Sequence, residues 1–204
     1  MTTLTRNDRR REITRGKLLA GAREVIAAKG VEVATIRDIT EAADVASGSF
    51  YTYFDSKEAI VVAAVEDIFL GFAELIEESN AAIEDPAEKV AVALSFLMRM
   101  VVADPLQAQF LIRAELFNES IGTESRKRSI RDLSDGMKRG VFKITNAVTA
   151  SHLISGMYIG YLRGRLFGQI EEKQEANTIL MLLRSLGVPE EQAETLSQRY
   201  GANF

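Results

Sequence analysis

The chain has 204 residues, of which 47% are hydrophobic and 26% charged, a composition typical of a globular protein of one or two domains. It has no cysteine, which excludes disulfide bonds, cysteine-ligated zinc and thiol catalysis, and its one histidine, His152, excludes a multi-histidine metal site. Since the chain lacks a bilayer-length apolar run and a signal-like apolar core near its start, we expect a cytoplasmic protein with no membrane partner.

The net charge of −4 is distributed unevenly along the chain. Residues 1–23 carry +5, from six arginines and Lys17 against Asp8 and Glu12, so the remaining residues carry −9. A positive end on an acidic body is typical of a protein that binds a polyanion at that end. The arginines at 9–11 fit a tail that contacts such a polyanion, although a solvated terminus has the same composition.

Apolar residues recur at helical spacing along most of the chain, and no segment alternates as a strand does, so the sequence predicts an all-α fold. Pro86, Pro105 and Pro189 each stand where a helix begins, a position at which the missing N–H costs nothing. In chain order the predicted helices are 9–29, 36–43, 46–53, 56–82, 86–102, 105–118, 123–139, 146–168, 174–186 and 189–200.

Two of these helices, 36–43 and 46–53, are unusually short. Thr35 can cap the first, with Asp38 three residues later in its first turn. The apolar side chains of both helices can share one small cluster, whose members are Ile36, Ile39, Ala43, Val45, Phe50 and Phe54. The opposite side of the second helix then presents small polar and hydroxyl-bearing residues: Ser47, Gly48, Ser49, Thr52 and Tyr53. Such an arrangement suits a short helix that lies in a groove of DNA and is braced by another.

Gly30, the stretch Thr35-x-Arg37-x-Ile39 and the segment VASGSFYTYFDSKE at 45–58 resemble the DNA-binding domain of TetR-type transcriptional regulators over about residues 12–65. The resemblance implies a helix-turn-helix domain at 1–55, with its motif at about 35–54, and a helical effector-binding and dimerisation domain at 56–204. It implies phosphate contacts for Thr35, Tyr51, Tyr53 and Lys57, and major-groove contacts for Arg37, Ser47, Ser49 and Thr52. Two residues depart from the family pattern: Asp44 replaces a usual glycine, and Ser47 a frequent lysine.

Several assignments stay open from the sequence. Arg37 can pair with a phosphate or a nearby carboxylate as well as with guanine. The basic stretch SRKRSIR at 125–131 resembles a nucleic-acid patch, but flanking acidic residues favour a solvated helix face.

Glycine recurs every four residues at Gly156, Gly160, Gly164 and Gly168. Each interior helical glycine costs about 1 kcal/mol relative to alanine, so a close approach of another helix is expected to offset that cost. With Leu183 on the following helix, this stripe predicts a homodimer interface of two helices from each chain. The alternative to such an interface is that the glycines mark the end of the helix near Gly164.

Aromatic and methionine side chains between residues 86 and 142 fit either a core or an adaptable apolar ligand cavity. The candidate ligand-binding residues are Phe96, Met100, Phe110, Phe117 and His152, of which His152 is otherwise a hydrogen-bonded core residue. The sequence shows no phosphate loop, nucleophile elbow or metal spacing and so predicts no enzyme, no cofactor and no metal. The predicted function is a homodimeric repressor that binds a near-palindromic operator in double-stranded DNA and is released by a small apolar effector. The alternatives are a constitutive DNA-binding protein without an effector and an all-helical enzyme.

Overall fold

The computed structural model describes residues 5–114 and 123–201, and within them it contains ten α-helices, a short 3₁₀ helix at Glu172–Gln174 and no strand. The predicted all-α fold is confirmed. The α-helices are α1 (Arg6–Lys29), α2 (Ile36–Ala42), α3 (Ser47–Phe50), α4 (Lys57–Asn80), α5 (Pro86–Ala103), α6 (Pro105–Ala114), α7 (Thr123–Lys138), α8 (Ala147–Leu166), α9 (Glu175–Ser185) and α10 (Glu190–Gly201). The last part of the helix predicted at 105–118, including Phe117, lies outside the described residues.

The chain forms two compact units. The N-terminal unit comprises Met1–Ile68 and Gln109–Gly122, and the C-terminal unit comprises Phe69–Ala108 and Thr123–Phe204. The division between the two units falls inside α4, after Ile68. The first half of α4 buries Ile60, Val61, Ala64, Val65 and Ile68, so this half belongs to the core of the N-terminal unit.

The N-terminal unit is organised around the second half of α1. The buried face of this helix consists of Leu18, Leu19, Gly21, Ala22, Val25, Ile26 and Ala27. Gly30 ends the helix with a φ of +83°, a left-handed value that favours glycine, and its amide donates to the Ile26 carbonyl at 2.8 Å. The chain then turns directly into α2.

The C-terminal unit has its own core, formed by α5 and α7–α10. Tyr161 and Leu162 of α8 and Ile179, Leu182 and Leu183 of α9 are almost wholly buried. Buried hydroxyls are satisfied: Tyr158 donates to the Leu97 carbonyl at 3.1 Å, and Tyr161 donates to Glu175 at 3.0 Å.

The C-terminal helix α10 is held on α5 by a polar clasp. The Glu88 carboxylate accepts hydrogen bonds from Arg199 and from the Tyr200 hydroxyl, both at 2.7 Å. Gln192 donates to Asp85 at the same distance. These contacts join residues more than 100 positions apart and so hold α10 to the start of α5.

Over residues 5–114 and 123–201, none of the helices is both long enough and apolar enough to cross a membrane.

Candidate nucleic-acid interface

The start of α2 is fixed by a reciprocal cap. The Thr35 hydroxyl accepts from the Asp38 amide at 3.1 Å, and an Asp38 carboxylate oxygen accepts from the Thr35 amide at 3.0 Å and its hydroxyl at 2.8 Å. The other Asp38 oxygen accepts from Lys29, the last residue of α1, at 2.6 Å. The Lys29 ammonium, together with the Thr35 hydrogen bonds, lowers the pKa of Asp38 from 3.8 to about 2. Asp38 therefore ties the end of α1 to the start of α2.

The link between α2 and α3 is a left-handed turn. Asp44 has a φ of +52°, and among the described residues no other non-glycine residue has a positive φ. Aspartate tolerates this conformation better than most residues, which explains how it stands where the TetR pattern has glycine. Its side chain is 98% exposed, and the nearest cation, the Lys17 ammonium, lies 3.9 Å away.

Helix α3 is shorter than predicted. After Ser47–Phe50 the chain continues as tight turns, in which the Thr52 amide donates to the Ser49 carbonyl and the Tyr53 amide to the Phe50 carbonyl. Phe50 and Phe54 are buried with ring centroids 5.9 Å apart, and Ile39 of α2 and Ala43, which follows α2, are buried as well. Their predicted burial is confirmed, whereas Ile36 and Val45 are only half-buried. The apolar cluster fixes α3 on α2 with its polar side outward.

All nine predicted DNA-contacting residues belong to the N-terminal unit, and none is buried. Six are exposed: Thr35, Arg37, Ser47, Gly48, Tyr51 and Thr52. Three are half-buried: Ser49, Tyr53 and Lys57. A side chain added at Gly48 would meet nothing within 4 Å, so the backbone of α3 is open to close approach there.

The hydroxyl residues of this surface are partly engaged. The Ser47 hydroxyl lies 3.1 Å from that of Thr40, which is buried and donates to the Arg37 carbonyl. Tyr51 is 63% exposed and packs edge-on against Phe50, with centroids 5.4 Å apart. Its ring is positioned by the core while its hydroxyl stays available.

Arg37 pairs with a carboxylate on its own helix. Its Nε donates to Glu41 at 2.7 Å, and both side chains are well exposed. The hydrogen bond and charge of Glu41 raise the pKa of the Arg37 guanidinium. This exposed pair contributes little to stability and leaves the other guanidinium donors free to turn toward a ligand.

Lys57 is the predicted phosphate-binding residue whose surroundings the sequence did not anticipate. Its ammonium donates to the carbonyls of Val31 at 2.7 Å and Ala34 at 3.0 Å, and lies 3.4 Å from that of Glu32. These carbonyls belong to the turn between α1 and α2. Lys57 thus acts as a clamp on that turn, which places the Thr35 cap and hence α2.

Gly21 is a second positioning residue that the sequence reasoning missed. A Cβ at Gly21 would lie 2.8 Å from the Ile39 carbonyl oxygen and 2.9 Å from the Ala43 amide nitrogen. Only a residue without a side chain allows α1 and α2 to pack this closely. The signal was present in the sequence, since a glycine inside an otherwise apolar helix face costs stability and calls for a packing reason.

The glycine stripe of α8 divides into two parts. Gly156 and Gly160 are exposed, with nothing within 4 Å of an added Cβ, and exposed apolar residues flank them at Leu153 and Phe167. Gly164 is instead covered by Ile170 of its own chain, and Gly168, at a φ of +68°, is part of the turn that ends α8. Leu183 is fully buried inside its own chain, which leaves it no surface for a partner.

The candidate ligand residues are not gathered into one described site. Phe96 is half-buried on α5 in the C-terminal unit, whereas Phe110 is fully buried in the N-terminal unit. His152 is exposed on α8, where Nδ1 contacts the Val148 carbonyl at 2.9 Å, so it is not a core histidine. Phe117 and the side chain of Met100 lie outside the described residues.

The basic stretch at 125–131 has the character of a solvated helix face. Arg128 lies 3.7 Å from Glu77, and Arg131 lies 3.9 Å from Asp132. Both cations therefore have acidic neighbours within the C-terminal unit.

Comparisons with known proteins agree with this architecture. Residues 18–64 match the family model of bacterial regulatory proteins of the tetR family, and residues 85–199 match the tetracyclin repressor-like C-terminal domain. The chain is 30% identical over 138 residues to the HTH-type transcriptional repressor KstR2 of Rhodococcus jostii, covering 63% of this chain and 68% of that protein. It is 24% identical over 156 residues to the fatty acid metabolism regulator protein of Bacillus subtilis, covering 76% and 79%.

A crystal structure of RolR in complex with resorcinol superposes with a TM-score of 0.72 and 28% identity, covering 94% of this chain and 96% of that one. The two family models together account for the capped helix-turn-helix in the N-terminal unit and for the helices from α5 to α10. The chain belongs to the TetR family of bacterial transcriptional regulators.

Proposed function

We propose that this protein is a DNA-binding transcriptional repressor that a small effector releases from its operator. The observation that carries the proposal is the surface of the helix-turn-helix: the cluster around Phe50 and Phe54 is buried, and the hydroxyl-bearing side of α3 faces outward. KstR2, a relative that covers most of the chain, is named a repressor.

In this proposal Thr35, Tyr51, Tyr53 and Lys57 contact backbone phosphates. Arg37, Ser47, Ser49 and Thr52 face base edges in the major groove, with Gly48 at the point of close approach. Selection of bound DNA from a random pool identifies the operator. If wild-type protein enriches no sequence, the proposal is wrong.

Two kinds of variant separate the proposed roles. Thr52→Ala and Arg37→Ala should each cost about 1–3 kcal/mol of binding free energy, unevenly across base substitutions. Tyr51→Phe should weaken binding to all sequences alike, because a phosphate contact carries no sequence information. If Thr52→Ala lowered the affinity equally for all DNA sequences, Thr52 would have no role in base recognition.

Dimerisation is proposed through the exposed face of α8. Gly156 and Gly160 offer backbone for close approach, and Leu153 at 64% exposure and Phe167 at 71% offer apolar surface. A two-fold axis there is expected to place two copies of α3 about 34–36 Å apart, or at another spacing that fits successive grooves, over two half-sites of a near-palindrome. Gly160→Leu should yield monomers in analytical ultracentrifugation, whereas Gly71→Leu, at another open glycine, should leave the dimer intact. A dimer of unchanged affinity in Gly160→Leu would remove the glycine argument.

The effector is proposed to be small and mostly apolar, as the resorcinol bound to RolR is small and aromatic. It must prefer a state with a different tilt of α4, because a ligand that binds both states equally shifts nothing. Helix α4 suits this role since it contributes residues to both units. A coupling of about 1–3 kcal/mol weakens DNA binding roughly 5–150-fold.

Reciprocity supplies the test of the effector. Calorimetric titration of a candidate compound with and without operator DNA should give affinities that differ by the same factor by which the compound weakens DNA binding. Equal affinities would identify the compound as a bystander. Failure across a broad metabolite screen would favour a constitutive DNA-binding protein.

A further inference from the structure

Helix α1 begins long before the core of its unit. It starts at Arg6, yet its first buried residue is Leu18, which is also where the family match begins. We call residues 6–17 the arginine helix; they lie outside the matched segment, and all but Thr14 are exposed. This segment contains Arg6, Arg9, Arg10, Arg11, Arg15 and Lys17 against Asp8 and Glu12.

The arginine helix is capped rather than left to fray. The Thr5 hydroxyl accepts from the Asp8 amide at 3.2 Å, while Asp8 accepts from the Thr5 amide at 3.0 Å and from its hydroxyl at 2.7 Å. This cap satisfies donors at the helix start and puts a negative charge at the positive end of the helix dipole. The sequence predicted a helix from residue 9; the helix begins three residues earlier, at Arg6, so the arginines at 9–11 have fixed helical spacing.

The helical spacing places the cations of the arginine helix on two different faces. Arg6, Arg9 and Arg10 are three and four residues apart and share one face, and Lys17 lies on the same face about two turns after Arg10. Arg15 lies on another face, with its guanidinium carbon 5.6 Å from the centroid of the Phe54 ring. The helix thus presents a basic stripe on one face and is anchored on the other.

The other cations of the helix-turn-helix each have a partner within the protein. Lys29 pairs with Asp38 and Arg37 with Glu41, and Arg23 lies 2.5 Å from Asp67. Lys57 is held by backbone carbonyls. By contrast, across the described ranges 5–114 and 123–201, the four arginines at 6, 9, 10 and 11 form no ion pair with a carboxylate. Four cations of the N-terminal unit that form no ion pair therefore lie close together in the arginine helix.

We propose that the arginine helix binds phosphates of the same double-stranded DNA that α3 reads, and that it supplies most of the salt-dependent affinity while α3 supplies sequence selection. Arginine suits this role because its guanidinium binds phosphate through two parallel hydrogen bonds. The helix is continuous with the candidate interface, since Arg15 packs on Phe54 after α3 and Lys17 lies 3.9 Å from Asp44 before it. This proposal rests on the proposed DNA-binding function.

The test compares two variants of the full-length protein that lose the same charge. One replaces the three arginines of the stripe by glutamine (Arg6→Gln, Arg9→Gln and Arg10→Gln), which preserves helix propensity. The matched control replaces three exposed cations of the C-terminal unit: Arg131→Gln, Lys138→Gln and Lys173→Gln. Dissociation constants for the selected operator and for an unrelated duplex are measured over a range of salt concentrations, and circular dichroism checks that helix content is unchanged.

Each phosphate contact contributes about 0.9 to the slope of log affinity against log salt. We expect the stripe variant to lower that slope by about 2–3 and to weaken binding to both duplexes on the order of tenfold at moderate salt. The sequence enriched from a random pool should stay the same. The control should retain a slope close to that of the wild type, because its three cations belong to the C-terminal unit and are not among the residues proposed to contact DNA.

The possible outcomes are distinct. If the wild type binds no DNA, the proposed function is wrong. If the wild type binds DNA and the stripe variant keeps its slope, the arginine helix has no phosphate contacts and the present inference is wrong. An equal fall in slope for the control would show a diffuse effect of net charge and would also overturn it. Binding to phosphatidylglycerol vesicles is measured for the same proteins. If the stripe variant loses vesicle binding while the salt dependence of its DNA binding is unchanged, the arginine helix binds lipid rather than DNA.

Discussion

Replacing Gly21 by alanine tests the close packing of α1 on α2 that positions the candidate interface. The added Cβ would lie 2.8 Å from the Ile39 carbonyl oxygen, 2.9 Å from the Ala43 amide nitrogen and 3.1 Å from the Ala43 Cβ. Two of these atoms are backbone, so no side-chain rotation can relieve the contact. Since ordinary contact begins near 3.4 Å, α2 must move by about 0.6 Å.

The magnitude is a balance of two terms. Overpacking in a well-packed region costs about 1–3 kcal/mol. Alanine in a helix interior regains about 1 kcal/mol relative to glycine. Because the obstructing atoms are backbone, we expect a net loss of about 1–2 kcal/mol in the free energy of unfolding for Gly21→Ala. DNA affinity should fall as well, since α2 carries Thr35 at its cap and Arg37.

Gly16→Ala is the matched control on the same helix. A Cβ at Gly16 meets nothing within 4 Å, so only the propensity gain remains, and this variant should be more stable than wild type by about 0.5–1 kcal/mol. Urea unfolding followed by circular dichroism at one protein concentration measures both. Equal stability of the two variants would refute the steric argument.

Three further outcomes are expected. Asp44→Ala should be about 1 kcal/mol less stable than Asp44→Gly in urea unfolding, because the alanine Cβ is crowded by its own backbone at the left-handed φ of +52°, whereas glycine has no Cβ; equal stabilities would show that the turn relaxes. The folded-state pKa of Asp38 lies below its ordinary value, so its contribution to stability is fully present above pH 4 and is lost as the pH falls from 3.8 toward about 2. Asp38→Asn should therefore flatten the pH dependence of urea unfolding in that window, and an unchanged acid limb would contradict this. Lys57→Met should lower the free energy of unfolding by about 1–3 kcal/mol through loss of its charged hydrogen bonds to the Val31 and Ala34 carbonyls. If the ammonium also contacts a phosphate, the slope of log affinity for DNA against log salt should fall by about 0.9. An unchanged slope with lowered stability would show that Lys57 holds the α1–α2 turn and does not contact phosphate.

The sequence alone determined the fold class and the local signals of the helix-turn-helix. Helical periodicity, prolines at helix starts and the Thr35–Asp38 cap are properties of short segments, and the structure places these features as predicted. The burial of Phe50 and Phe54 also followed from local spacing, because the side of a helix on which a residue lies is set by its position in the repeat. The length of the motif at 45–58 likewise sufficed to identify the family.

The tertiary structure decided the features that depend on contacts between distant segments. The clamp of Lys57 on the α1–α2 turn joins residues 23–26 positions apart, and no local pattern in the sequence encodes it. The four glycines of the α8 stripe have the same spacing, yet only the fold separates the open Gly156 and Gly160 from Gly164, which Ile170 covers. Leu183 has the apolar character that suits an interface, but packing within its own chain buries it completely. Periodicity predicts that a residue faces an apolar surface, whereas only the three-dimensional arrangement determines whether that surface belongs to the same chain or is left for a partner.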